Sequence, residues 1–323
     1  MTSAEPDATP AARPRVMRLP SLALIRAGGA DADAFLQGQL SSDLRKLTPT
    51  GGQISSYSSP KGRMLAVFYL NRWESGLTLE VHRGVAADVL ARLRRFVMRS
   101  KVTLDDVSEA LPALALTGES AAARLRASGL EPPAAADGFV VDDGVAISRR
   151  RGGIPRFVIR AEPERIARLE SVLAETGDVA GEEVWRREEI EAGLPCMYPG
   201  TADHFVAQMA NLDLLGGVAF DKGCFAGQEV IARLHYLGTV KRRLALMRFE
   251  TPDAEPGMPL FDAAHPDQPV GEIADVAADG ARGWLASAVL QVPHLYSPGL
   301  HLGSAEGALS GPVRPSLGTD AEG

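Results

Sequence analysis

Short strand-like and helical hydrophobic patterns alternate along most of this chain. Apolar residues alternate or cluster over 53–58, 64–70 and 77–82, and a helical spacing follows over 85–97. The pattern then restarts, with further strands and helices over 111–181. A helix bundle or an all-β sandwich would not show this mixture, so the chain is predicted to be an α+β protein.

Leucine spacing and turn residues predict the remaining elements. A helix is expected between Asp31, which can cap it, and Pro49, which ends it. Its apolar positions follow the helical period: Leu36, Leu40, Leu44 and Leu47. A helix over 182–193 then leads into a glycine-rich stretch over 216–238. Beyond Lys241, alternating segments separated by Pro, Gly and Asp turns predict a small antiparallel β domain.

Composition argues against several classes of protein. The 323 residues carry 34 Lys and Arg against 41 Asp and Glu, and a net charge of −7 does not suit a generally basic nucleic-acid-binding protein. The sequence shows neither a run of roughly 18 apolar residues, which a membrane span needs, nor a secretory h-region. The two cysteines, Cys196 and Cys224, are too few for a disulfide framework or a four-cysteine zinc site. We therefore expect a cytoplasmic protein that contacts neither membrane nor nucleic acid directly.

Both ends of the chain differ in composition from the rest. Residues 1–16 and 304–323 are rich in Ala, Pro, Gly, Ser and acidic residues and lack periodicity. Such segments cannot bury enough apolar surface to form a core, so disordered tails are predicted at both ends.

The most informative stretch reads Asp-Lys-Gly-Cys-Phe-Ala-Gly-Gln-Glu over 221–229. Lysine occurs five times in the chain and cysteine twice, yet Lys222 and Cys224 lie two residues apart. The flanking glycines permit a positive φ or a close approach, and a predicted helix start favours an anion or a thiolate. A thiol near a lysine and a helix start ionises more readily than a free one. On spacing alone, a functional Cys224 and a buried structural cysteine are equally supported.

Three further residues are candidates for binding. Lys61 lies in a Pro-Lys-Gly turn before the strand over 64–70, where a plain hairpin connection is the commoner explanation. Trp185 and Glu191 share a predicted helix, and an aromatic plane with a carboxylate suits a flat, amide-like heterocycle such as a pterin. Core packing is the alternative for Trp185.

Other motifs carry weaker signals. The basic triplets 149–151 and 241–243 could bind phosphates or a polyglutamate tail, although short basic runs are usually solvated surface. The six histidines show no metal-ligand spacing, so no bound metal is predicted. The sequence also lacks a Walker A loop, a dinucleotide-binding glycine motif and a serine-hydrolase elbow.

The 221–229 stretch resembles the K-G-C-aromatic-x-G-Q-E hallmark of the YgfZ-type folate-binding proteins, relatives of the glycine-cleavage T-protein (aminomethyltransferase). Separate motifs in the same order extend the resemblance over roughly residues 18–292. These motifs are Gly29-Ala30-Asp31, Phe35-Leu36-Gln37-Gly38-Gln39-Leu40, Lys61-Gly62-Arg63, Ser100-Lys101-Val102, Ile190-Glu191-Ala192-Gly193, Asn211-Leu212-Asp213, Leu215-Gly216-Gly217 and Val240-Lys241-Arg242-Arg243.

The resemblance implies a three-domain cloverleaf around a channel that binds tetrahydrofolate. It also implies a role in assembling or repairing iron-sulfur clusters in client enzymes, including tRNA-modifying enzymes. The expected domains are a discontinuous folate-binding core (17–110 with 182–240), an α+β domain (111–181) and a C-terminal antiparallel β-barrel (241–303). Cys224 and Lys222 would form the functional loop facing the channel. The expected folate-contacting residues are Trp185, Glu191, Lys61, Gly223, Gln228, Glu229 and Arg233.

Two positions depart from the family pattern. A second folate-contacting Trp in part of the family corresponds to Leu22 here. Where the T-protein carries an Asp-Asp-Leu needed for aminomethyl transfer, this chain reads Leu65-Ala66-Val67, and apolar side chains cannot perform general acid-base work. We therefore expect a protein that keeps the folate site but has lost glycine-cleavage activity.

Two other functions fit the same residues. One is a folate-dependent one-carbon transferase on an unknown substrate, with Cys224 as nucleophile or methyl acceptor. The other is a non-catalytic scaffold whose surface recruits a client protein.

Overall fold

Residues 13–74, 76–250 and 254–317 are described in this computed structural model. The helices are α1 (Ala32–Gln37), α2 (Arg83–Val97), α3 (Ala121–Ala127), α4 (Pro163–Thr176), α5 (Glu182–Glu191) and α6 (Gln228–Leu237). The strands are β1 (Arg15–Arg18), β2 (Leu22–Gly28), β3 (Gln53–Ser58), β4 (Met64–Trp73), β5 (Gly76–His82), β6 (Thr103–Asp106), β7 (Ala113–Thr117), β8 (Phe139–Asp142), β9 (Val145–Arg150), β10 (Arg156–Arg160), β11 (Asp178–Val179), β12 (Arg242–Phe249), β13 (Pro259–Asp262), β14 (His265–Ala278), β15 (Trp284–Gln291), β16 (His301–Leu302) and β17 (Arg314–Pro315). The predicted mixture of helices and strands is confirmed.

The first sheet is antiparallel, in the order β3-β4-β5-β2-β6. Helix α2 covers one face, because its buried residues lie on a single stripe: Val85, Ala86, Val89, Leu90 and Leu93. These side chains share a core with strand residues such as Ile25 and Leu79, both fully buried. The sheet and helix together form the base that carries the Lys61 turn.

The second sheet has the order β11-β1-β7-β10-β9-β8. Strand β1 lies between β7, with which it pairs antiparallel, and β11, with which it pairs parallel. Helices α3 and α4 supply Leu125, Ile166 and Leu173 to the core on this sheet. Helix α5 follows β11 and places Trp185 against Met17 and neighbouring side chains. The first strand of the chain therefore belongs to a different sheet from the strand that follows it.

The third sheet has the order β16-β13-β14-β15-β12-β17 and is open. The predicted closed β-barrel is therefore wrong. The two edge strands contain only two residues each, and Pro315 has no N–H to donate to a neighbouring strand, so in the described part of the chain the edges do not join. The division into domains over 17–110 with 182–240, 111–181 and 241–303 stays a prediction, as does the cloverleaf arrangement.

The helix expected between Asp31 and Pro49 is shorter than predicted. Helix α1 ends at Gln37, and a separate 3₁₀ turn forms at Leu44–Lys46. All four leucines are buried as expected, but the intervening serines bond to β3 instead of continuing the helix: the Ser41 N–H donates to the Ser56 carbonyl at 2.9 Å. Tertiary hydrogen bonds here override helical spacing.

The segments expected to be tails are partly built into the fold. Residues 15–16 belong to β1, and Val16 is buried. Near the other end, β17 pairs with β12, and the Ser316 hydroxyl accepts a hydrogen bond from Asn211 at 2.9 Å. The remainder of each predicted tail, 1–12 and 318–323, lies outside the described residues. No helix in the described ranges is long and apolar enough to cross a membrane.

Candidate functional site

Cys224 lies exposed in a loop, residues 221–227, that leads into α6; we call it the Cys224 loop. Phe225 is buried and holds the loop to the core. The Gln228 side chain accepts a hydrogen bond from the Phe225 N–H at 3.2 Å, which satisfies one backbone donor just before the helix. The thiol is therefore presented to solvent by a loop whose neighbouring residue is fixed.

Lys222 points into the protein, away from solvent. Its ammonium donates to the carbonyl oxygens of Gln37 at 2.6 Å, Leu40 at 2.7 Å and Ser42 at 2.8 Å. It also lies 5.1 Å from the centre of the Phe225 ring. Burial lowers the pKa of Lys222 to about 8, so at neutral pH it is still mostly the ammonium form, which has the three N–H donors these carbonyls need. This arrangement makes Lys222 an anchor for the Cys224 loop.

The Lys61 turn and the end of the Cys224 loop meet through two glycines, Gly62 and Gly227. Gly62 has φ of 72° and Gly227 has φ of 78°. A Cβ added to Gly62 would lie 2.7 Å from Cβ of Val230, and one added to Gly227 would lie 2.8 Å from Cα of Gly62. At Gly62 and Gly227 only glycine fits both the backbone angle and the space. These two glycines allow the Lys61 turn to pack directly against the start of α6.

The other residues predicted for this end of the site lie on the surface. Lys61, Gly223, Glu229 and Arg233 are exposed, and Gln228 is half-buried. Ile231 is the buried residue of α6, and the helix exposes large apolar side chains at Tyr236 (64%) and Leu237 (85%). The Cys224 thiol is thus accessible to a macromolecule as well as to a small molecule.

Trp185 lines a separate cavity of about 360 Å³. Aromatic side chains Trp185, His82 and Tyr198 line it, and the centres of the His82 and Tyr198 rings are 4.5 Å apart. Glu189, one turn after Trp185 on α5, supplies a carboxylate, and Leu22 lines the same space. The cavity therefore combines flat apolar surfaces with an acidic group.

Charged partners hold the walls of this cavity. The Arg156 guanidinium lies 5.1 Å from the Trp185 ring centre and donates to Glu189 at 2.7 Å. In the third sheet, Asp275 of β14 accepts hydrogen bonds from Arg186 Nε at 2.6 Å and from the Tyr198 hydroxyl at 2.8 Å. Strands of the first and third sheets thus line the cavity together with α5, and β10 of the second sheet supports it through Arg156.

Burial shifts the pKa of several cavity groups. It lowers the pKa of His82 to about 4, with a further contribution from Arg186, so the imidazole is neutral at pH 7. Burial raises the pKa of Asp275, an effect that Arg186 partly offsets. Burial also raises the pKa of the Cys196 thiol, which lines the cavity and is therefore a poor nucleophile there.

The structure does not bring all the predicted site residues together. Within the described ranges, no residue of the Cys224 loop lines the Trp185 cavity. Glu191 is exposed and is also absent from that lining, whereas Glu189 is part of it. Glu189 and Glu191 are two positions apart on α5, so they do not share a face of the helix. Glu189 lies four positions after Trp185, and that spacing places both side chains on the same face.

Sequence reasoning missed His82, Tyr198 and Asp275. These residues come from β5, from the loop after α5 and from β14. No local motif links them, because the contacts between them depend on the packing of separate sheets. The described residues contain no cluster of three or more His, Cys, Asp or Glu side chains that could hold a metal ion.

The basic triplet 149–151 is largely occupied by the protein's own groups. Arg149 donates to the Ala134 carbonyl, Arg150 pairs with Glu80 in the interior, and Arg151 pairs with Asp137. In the triplet 241–243, Arg243 pairs with Asp213. The first triplet is therefore structural, which removes it as a phosphate-binding candidate.

Comparison with known proteins places the chain among named relatives. It is 30% identical over 230 residues to the tRNA-modifying protein YgfZ of Colwellia psychrerythraea, covering 71% of this chain and 70% of the relative. It is 30% identical over 232 residues to the protein of the same name from Escherichia coli O157:H7, covering 72% and 71%. No family model matches the sequence.

A solved structure shows the same fold. The glycine cleavage system aminomethyltransferase T from Bartonella henselae superposes with a TM-score of 0.78, at 19% identity, over 95% of this chain and 87% of that one. The order of motifs, the T-protein-like fold and the extent of the match to curated relatives lead to one conclusion: the chain belongs to the YgfZ family of tRNA-modifying proteins.

Proposed function

We propose that this protein binds tetrahydrofolate in the Trp185 cavity and acts as an accessory factor for iron-sulfur enzymes, including tRNA-modifying ones. The cavity is the observation that carries the proposal. It has flat aromatic walls and a carboxylate, as a pterin requires, and lies in a chain with a T-protein-like fold.

The side chains present fit a reduced folate. Trp185, although only 7% exposed, lines the cavity and would provide the aromatic contact, and Glu189 offers a carboxylate for the amide-like edge of a pterin. Leu22, the position of a second Trp in part of the family, lines the same cavity. A bound folate would supply a carrier for one-carbon units.

The protein's own residues would orient the ligand and shield it from water. The Arg156 guanidinium donates to the Glu189 carboxylate and fixes its direction. The Arg186–Asp275–Tyr198 group, with neutral His82 beside it, makes a rigid wall. Cys224 would act at the accessible surface, positioned by Lys222, where an iron-sulfur client or assembly protein can reach it.

Three further expectations follow from the resemblance to the family. Glycine-cleavage activity is expected to be absent, because Leu65, Ala66 and Val67 provide no acid or base. The site of action is expected to be the cytoplasm. Client recognition is expected through protein contact.

Anaerobic calorimetry with tetrahydrofolate tests the cavity. Wild type should bind saturably, with a change in tryptophan fluorescence. Glu189→Gln should weaken binding at least about tenfold, because it loses a charge-assisted hydrogen bond. Glu191→Gln, on the same helix outside the cavity, is the matched control and should bind within about twofold of wild type. No saturation at millimolar ligand, or the opposite ranking of the two variants, would rule out this assignment.

A client-binding scaffold is a second candidate, favoured by the separation of the Cys224 loop from the cavity lining. Complementation of a deletion strain with the Cys224→Ala variant distinguishes the scaffold function from a function that requires the thiol. Full rescue supports the scaffold; loss of client activity supports a chemical role for the thiol. Turnover of a folate one-carbon donor by wild type but not Cys224→Ala would instead identify a one-carbon transferase.

A further inference from the structure

The end of α2 carries a dense group of positive charges. Residues 91–101 contain five cations and no acidic residue, in a chain whose net charge is −7. Arg92, Arg95 and Phe96 lie on one face of the helix, at relative positions i, i+3 and i+4. Arg99 and Lys101 follow directly after it. We call these five residues the α2 patch.

The patch is exposed, and its cations are available. All four cationic side chains are exposed, and within residues 13–74, 76–250 and 254–317 none has an ion-pair partner within 4.0 Å. Arg94, by contrast, is used internally: it donates to the Leu104 carbonyl and lies 3.6 Å from Asp105. Asp88, one turn before Arg92, is the nearest acid in sequence on that face. The patch therefore differs from the triplet 149–151, whose charges are consumed inside the protein.

Large apolar side chains are interspersed with the cations. Phe96 is 55% exposed and Met98 is 87% exposed. The opposite stripe of α2 is buried in the core of the first sheet, so the helix cannot lay an apolar face into a lipid surface. Exposed arginines around an exposed aromatic ring match single-stranded nucleic acid, whose phosphates pair with the cations and whose bases stack on the ring.

We propose that the α2 patch is an RNA-binding surface for single-stranded or loop segments, independent of the folate cavity and of the Cys224 loop. Arg92, Arg95, Arg99 and Lys101 contact phosphates, and Phe96 stacks on a base. This proposal departs from the expectation, drawn from the net charge of the whole chain, that the protein does not contact nucleic acid directly. Salt screens interactions between exposed charges beyond about 10 Å, so the charge of the local surface governs binding.

Fluorescence anisotropy of the full chain with a labelled RNA hairpin tests this surface. Binding should be saturable and should weaken with salt, with a log–log slope of about −2 to −3 for three to four phosphate contacts. The double variant Arg95→Glu/Arg99→Glu should bind at least about tenfold more weakly and lose one to two units of slope. The matched control Arg126→Glu/Arg168→Glu makes the same charge change on α3 and α4 and should retain affinity within about twofold.

Phe96→Ala separates stacking from charge. It should weaken binding about fivefold or more while leaving the salt slope unchanged.

Equal loss of affinity in both double variants would overturn the proposal, as would an absence of binding at low salt. Displacement of the RNA by a polyglutamate peptide at equal charge concentration, or equal affinity for phosphatidylglycerol vesicles, would point to an acidic protein or a membrane and would also overturn it. All variants change exposed residues, so unchanged thermal unfolding verifies that each is folded.

Discussion

Three backbone carbonyl oxygens converge on the buried ammonium of Lys222. They belong to the last residue of α1 and to the segment that follows it, so one side chain joins the Cys224 loop to the core of the first sheet. An ammonium can satisfy three acceptors at once, which a hydroxyl or an amide cannot. The stability of the loop therefore depends on this one residue.

Lys222→Met should destabilise the protein by about 2–3 kcal/mol, because buried carbonyls are left without a donor. Urea unfolding measures the change. Lys61→Met, at the exposed lysine of the neighbouring turn, should change stability by less than about 0.5 kcal/mol. If Lys222→Met is as stable as wild type yet inactive in cells, the lysine is a chemical participant and the anchoring role is wrong.

His82 sets a pH dependence. Its pKa is about 4 in the folded protein, below its usual value of 6.5, so the unfolded chain binds more protons between these values. Stability therefore falls as pH decreases from 6.5 towards 4. Between pH 7 and pH 5 this residue should cost about 2 kcal/mol.

The variant His82→Asn isolates that contribution. Asparagine can still accept the hydrogen bond that Nδ1 of His82 takes from the Gly84 N–H at the start of α2. Urea unfolding at pH 7 and pH 5 should show a smaller loss for the variant than for wild type. The same loss in both proteins would mean that His82 does not titrate in this range.

At the scale of elements, strands and helices with a regular apolar pattern are predictable from sequence. Strands β3 and β4 begin at the expected residues and helix α2 ends at the expected Val97, since their own periodicity determines which face is buried. Strand β1, with only four residues, and the break after α1 depend on distant partners. Likewise, Trp185 was identifiable as a candidate, but its cavity neighbours were not, because they come from other sheets.

The contact between the Lys61 turn and α6 depends on glycine. Gly62→Ala should cost about 2–4 kcal/mol, since it combines an unfavourable positive φ with a steric overlap at Val230. Gly216→Ala is the control: φ is 76° there, but nothing lies within 4 Å of the added Cβ, so about 1–2 kcal/mol is expected. Denaturant unfolding compares them. Equal costs would show that α6 moves freely to accommodate the methyl group.

At the scale of the whole molecule, the Trp185 cavity joins all three sheets. Leu22 comes from the first sheet, Trp185 packs on the second, and Asp275 belongs to the third. A ligand in this cavity should therefore stabilise the chain as a unit. Tetrahydrofolate at a hundred times its Kd is expected to add about 2.7 kcal/mol to the free energy of unfolding.

Hydrogen exchange checks how far that stabilisation extends. With tetrahydrofolate, peptides covering β2, α5 and β14 should all be protected. Helix α3, which does not line the cavity, is the internal control. Protection confined to one sheet would contradict a shared cavity.

The position of β1 has a consequence for the order of folding during synthesis. Its partner β7 emerges from the ribosome about a hundred residues later, and β11 later still, after the whole first sheet has been made. During that interval β1 has two unpaired edges, the kind of template on which nascent chains aggregate. Arg15 and Arg18, at the two ends of β1, carry like charges that oppose association of this segment with its copy in another nascent chain before β7 and β11 are available.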